Sequence, residues 1–89
     1  MVTISPQAEI AIRSLLPPDK KRVERQLAIL DHFPDDAPDN VKRLSGSDKL
    51  YIVRATGALR ILFRRTGQTI EVMDVFTRDR LEQMHEHAG

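Results

Sequence analysis

Arg54, Arg60 and Arg78 are the residues whose type and spacing best suit chemistry, each set among apolar neighbours in "LYIVR", "ALRILF" and "IEVMDVFTR". Arginine belongs badly in a two-sided core, because an unpaired buried guanidinium is expensive. On an accessible face the same group is useful. It is planar, stays charged and offers several fixed N–H donors, so it grips phosphate through paired hydrogen bonds. Three such groups around one phosphate would act by stabilising charge, usually the largest contribution in such sites. An equally weighted alternative pairs these arginines with Asp74, Glu71 or the carboxylates of a partner.

The elements that must position them follow from periodicity. Three strand-like runs, 50–55, 58–65 and 69–77, are separated by Thr56-Gly57 and Thr66-Gly67, and turns this short predict an antiparallel meander. Alternate residues of a strand point to opposite faces. Odd positions give Tyr51, Val53, Ala55, Leu59, Ile61, Phe63, Met73 and Val75, the expected core. Even positions give Leu50, Ile52, Arg54, Arg60, Leu62, Arg64, Val72, Asp74, Phe76 and Arg78. A face both apolar and cationic makes poor solvent surface and a good binding site.

Upstream, Val2–Ile4 reads as a short strand, and Ser5-Pro6 as a helix N-cap followed by proline in the first turn. Ala8, Ala11, Ile12, Leu15 and Leu16 form one helical stripe. Pro17-Pro18 ends that helix and opens a second, with Val23, Leu27 and Leu30 on its apolar face. "FPDDAPDN", residues 33–40, reads as a loop, and Asp79 to Gly89 as a short helix or tail. The expected class is α+β, with an N-terminal helical hairpin packed on a twisted antiparallel sheet.

The 89 residues suit one domain spanning 1–89, and 40% apolar with 30% charged residues suits a soluble globular chain. No long uncharged apolar run and no signal-like start occur, so a cytoplasmic protein without a membrane span is expected. The absence of cysteine excludes disulfides, thiolate zinc sites and cysteine nucleophiles. Residues 1–40 hold five basic against seven acidic residues, whereas 41–65 hold seven basic residues against Asp48 alone. That concentration points to an anionic partner, nucleic acid first. His85 and His87 form an H-x-H that is a weak metal motif and a better source of a general acid or base. Asp35-Asp36 reads as a turn pair, and no serine elbow, phosphate loop or dinucleotide fingerprint is present. No metal or other cofactor is expected.

The stretches "ISPQAEIAIRSL", "VKRLSGSDKLYIVRATGALRILF" and "IEVMDVFTRDR" resemble, in order and over nearly the whole chain, the RelE/ParE superfamily of toxins from toxin–antitoxin pairs. The shared features are an S-P-x-A start, Leu-x-Gly followed by Leu-Tyr and Arg, an Arg-aliphatic-aliphatic-aromatic strand, and a last strand ending in basic residues. The resemblance implies a small domain similar to microbial ribonucleases, and an antitoxin as partner. It also implies one of two activities. The RelE-like branch cuts mRNA in the ribosomal A site, without metal, by 2′-hydroxyl attack on the adjacent phosphate. The ParE-like branch inhibits DNA gyrase, and an inactive antitoxin-binding relative is the remaining alternative.

Matched position by position, the resemblance assigns Arg60 and Arg78 to the scissile phosphate, with Arg54 as a second basic residue on the preceding strand. Lys49, Arg64, Arg43 and Arg80 are the further RNA-binding candidates. Two positions depart from the pattern. Ile52 stands where a RelE-like enzyme has another lysine, and Met84 and His85 stand near the position of a C-terminal tyrosine. The proton-transfer residue stays open among Lys49, His85 and His87, with His85 slightly favoured. Leu50, Ile52, Leu62, Val72 and Phe76 are expected to expose apolar surface beside the arginines, for an acidic amphipathic antitoxin segment to cover.

Overall fold

A computed structural model describes residues 1–32, 41–43 and 49–80. Its order is β1 (Val2–Ile4), α1 (Pro6–Arg13), α2 (Pro17–Leu30), β2 (Val41–Arg43), β3 (Leu50–Arg54), β4 (Leu59–Thr66) and β5 (Thr69–Thr77). The expected turns at 33–40, Asp35-Asp36 included, and most of the segment after Asp79 lie outside the described residues.

The α+β class holds, and the sheet is richer than a meander. Its strand order is β1-β5-β4-β3-β2. Strands β2 to β5 pair antiparallel, as expected of the last three, while β1 adds a parallel edge on β5. At the β4–β5 turn Gly67 adopts φ 61°, a left-handed conformation that glycine enters without steric cost.

Helix α1 starts where its sequence dictates. Ser5 is the N-cap, its Oγ accepting the Ala8 N–H at 3.1 Å, and Pro6 fills the first turn. Ala8 and Ile12 are buried, and Ala11 and Leu15 pack beside them, but Leu16 is 72% exposed. Leu16 leaves the stripe because it is the extended N-cap of α2, ahead of Pro17 and Pro18. Val23 and Leu30 are buried and Leu27 packs against the core, as periodicity predicts.

The core joins these helical residues to Val53, Leu59, Ile61, Phe63, Ile70, Val72 and Val75. Tyr51 stands opposite Phe63, their rings stacked with centroids 5.3 Å apart, which gives the tyrosine a structural role.

Strand β5 corrects the simple parity. A bulge interrupts the β4–β5 ladder: Leu62 pairs with Asp74, but Phe63 pairs with Val72, leaving Met73 as the extra residue. Below the bulge the facing of β5 reverses. Val72, expected beside the arginines, is fully buried in the core with Ile70, and Met73, expected in the core, is only half-buried. Ser5 holds the bulge in place. Its N–H donates to the Val72 carbonyl at 2.9 Å and its Oγ to the Met73 carbonyl at 2.8 Å.

The serine thus serves helix and sheet together. Ser5→Ala should lower stability by roughly 1–2 kcal/mol, the upper range for a lost N-cap, because the bulge carbonyl also loses its donor. Urea denaturation measures this, and an unchanged midpoint would remove Ser5 from its structural role.

Candidate functional site

The face of the sheet opposite the core carries the arginines in rows set by the register. Arg54 stands directly opposite Arg60, and Arg60 opposite Phe76. The next row runs Lys42, Ile52, Leu62 and Asp74. The far row pairs Leu50 with Arg64 and Arg64 with Glu71.

Arg78 follows the end of β5, its N–H donating to the Ala58 carbonyl at 2.8 Å, so it sits on the diagonal from Arg60. Directly opposed Cβ atoms lie about 4.5–5.5 Å apart and diagonal ones roughly 7–8 Å, within the span of long side chains. Arg54 and Arg60 are therefore cross-strand neighbours at one end of the sheet, and the Arg78 backbone lies at the same end.

Arg60 is tied to the β3–β4 turn. Its Nη1 donates to the carbonyls of Thr56 at 2.9 Å, Leu59 at 3.1 Å and Gly57 at 3.2 Å. The turn has its own support, because Thr56 Oγ1 accepts the N–H groups of Ala58 at 3.2 Å and Leu59 at 3.0 Å. These carbonyls fix the half-buried guanidinium before any ligand arrives.

The other candidates scatter. Lys49 precedes β3, roughly 17 Å along the strand from Arg54 at ordinary strand rise. Arg64 shares the face but lies in the far row, and Arg43 stands opposite Tyr51, a position of core-side parity on the edge strand. Arg80 follows Arg78 and approaches Asp74 at 3.8 Å. His85 and His87 lie outside the described residues.

Sequence reading missed Lys42. It is exposed on β2, directly across from Ile52, and so puts a cation beside the position where the family pattern expects a lysine. Only the register reveals it, since a three-residue strand shows no periodicity.

The apolar surface expected on this face is smaller than parity suggested. Val72 faces the core, Phe76 is buried, and Leu50, Ile52 and Leu62 are half-buried. Among the described residues the large exposed apolar side chains are instead Met1, Ile4, Ile10 and Leu16. None of these lies on the strands that carry the arginines.

Fold and face together define a small α+β domain with opposed arginines at one end of its sheet. No family model and no curated relative matches the chain. Solved structures do. The archaeal RelE–RelB complex from Pyrococcus horikoshii matches at 25% identity and TM-score 0.74, over 89% of this chain and 94% of the other. The RelB–RelE antitoxin–toxin complex from Methanococcus jannaschii matches at 17% identity and TM-score 0.75, over 90% and 94%. The DinJ–YafQ toxin–antitoxin complex of E. coli matches at 14% identity and TM-score 0.72, over 91% and 94%. By fold the chain stands with the RelE-like members of the RelE/ParE superfamily.

Because Arg54 is exposed, Arg54→Gln should change stability by less than ~1 kcal/mol. The same variant should bind single-stranded RNA more weakly, with a shallower dependence on salt. Paired thermal melts and salt titrations check this. A clear loss of stability would show that Arg54 serves the fold instead.

Proposed function

We propose that this protein is the toxin of a toxin–antitoxin pair and acts as a metal-independent, ribosome-dependent mRNA endonuclease in the cytoplasm. The observation that carries the reading is Arg54 facing Arg60, with Arg78 on the diagonal. The RelE-like fold supports it, and so do neighbours solved as complexes with their antitoxins.

The chemistry is 2′-hydroxyl attack on the adjacent phosphate, with loss of the 5′-oxygen of the next nucleotide. It needs a base, a proton donor to the leaving oxygen, and positive charge around the phosphorane. Arg60 and Arg78 supply the charge, and Arg54 assists. Lys49 stands too far along its strand to reach the same phosphate, so the proton-transfer role passes to the C-terminal histidines, His85 first.

Loss of one preorganised donor to a developing oxyanion typically costs ~10²–10³ in rate. Arg60→Ala and Arg78→Ala should each lower cleavage of mRNA on programmed ribosomes by that factor, while both variants keep their fold. Arg64→Ala, in the far row, should mainly weaken binding. Naked mRNA and gyrase supercoiling are run alongside. Intact mRNA with blocked gyrase would replace this reading with that of a gyrase inhibitor or antitoxin-binding relative, and full cleavage by Arg60→Ala would overturn the assignment of the charge to Arg60.

The partner follows from the same reading. An acidic, amphipathic antitoxin segment would set carboxylates against the arginines and fold as it binds. Co-expression with the neighbouring small open reading frame should yield a complex that no longer inhibits growth. Failure to co-purify or to neutralise would refute the pairing.

A further inference from the structure

Asp74 is the one buried charged side chain among the described residues, and the cleavage chemistry gives it no task. Three groups converge on its carboxylate. Oδ1 accepts the Val75 N–H at 2.8 Å, Oδ2 accepts Gln7 Nε2 of α1 at 2.9 Å, and Oδ2 lies 3.8 Å from Arg80 Nη1. The Asp74 side chain is 12% exposed, so its attraction for Arg80 acts in a partly dry setting.

Arg80 has a second support. Its Cζ lies 5.8 Å from the centroid of the Phe76 ring, and its backbone N–H donates to Thr77 Oγ1 at 3.3 Å. Phe76 is itself buried and stands directly opposite Arg60. The Arg80 guanidinium is therefore held over an aromatic ring and beside a carboxylate, adjacent to the arginine cluster. Its side chain is still 55% exposed. A planar cation held near a ring and a carboxylate, and still more than half exposed, offers a surface on which a second planar group can stack.

We propose that Asp74 and Phe76 position Arg80 as a stacking shelf for a nucleobase next to the phosphate held by Arg54, Arg60 and Arg78. The inference rests on the RNA-cleaving reading and adds to it a base contact. Single-stranded RNA is commonly read by stacking its unpaired bases on aromatic rings and arginine planes. The phosphate cluster would fix the backbone, and the shelf would fix the base beside the cut.

The test separates plane from charge. Programmed ribosomes carry an mRNA with 2-aminopurine at single positions around the cut site, the attacking 2′-hydroxyl being methylated so that no cleavage occurs. Binding of wild-type protein should quench the fluorophore at one position next to the scissile phosphate. Arg80→Lys keeps the charge and loses the plane. It should abolish the quench and raise KM for the unmodified mRNA roughly tenfold, in the range expected for one stacked base. Asp74→Asn, with its fold checked by thermal melting, should reduce the quench in part. Arg13→Lys on α1 should change neither.

Quenching by Arg80→Lys equal to wild type would overturn the shelf and leave Arg80 as a phosphate contact. Wild-type protein that cuts unmodified mRNA without quenching at any position would overturn the shelf while the cleavage reading stands. Wild-type protein that neither cuts nor quenches would remove both.

Discussion

The bulge of β5, bonded to Ser5 at Val72 and Met73, sets which side chains of that strand face which way, and both faces of the sheet depend on it. Had β5 run without Met73 as an extra residue, Val72 would lie beside the arginines and Ile70 with it. The core would lose two of its fully buried side chains. With the bulge, Ile70 and Val72 enter the core while Asp74 and Phe76 stay on the opposite face. A bulge costs a ladder position and leaves carbonyls to satisfy. Ser5 satisfies those of Val72 and Met73 while starting α1, so the helix, the bulge and the cationic face form one unit.

The two faces follow different physics. The core side is ordinary, with stacked Tyr51 and Phe63 and interlocked aliphatic residues. The other side gathers arginines at one end of the sheet, Arg54 directly opposite Arg60. In the proposed function phosphate would bind at these charges, and so would the carboxylates of an antitoxin. Toxicity and its neutralisation would then compete for one set of guanidiniums. Because the turn carbonyls already hold Arg60, a ligand need not order that side chain on binding, which suits transition-state stabilisation.

Much of this was legible in the sequence, for local reasons. Ser5-Pro6, the helical stripes and the two short turns are signals read within a few residues, and α1, α2, β3, β4 and β5 follow them closely. Arg54 and Arg60 meet because a tight turn fixes their register. What escaped depends on distant pairing. The Met73 bulge answers to Ser5, 68 positions away, so parity alone misplaced Val72 and Met73. Strand β2 is too short to show alternation, so only its register places Lys42 across from Ile52 and Arg43 across from Tyr51. The link from Asp74 to Gln7 and Arg80 joins a helix to the end of a strand, and no spacing rule announces it.

In the proposed function the arginine cluster stabilises 2′-hydroxyl attack within translated mRNA. The most direct measurement is to map mRNA ends after induced expression and identify their chemistry. Discrete cuts confined to translated regions, with 2′,3′-cyclic phosphate on the upstream fragment and 5′-hydroxyl on the downstream one, are predicted. Growth arrest with intact transcripts, or cuts that leave a 5′-phosphate, would contradict it.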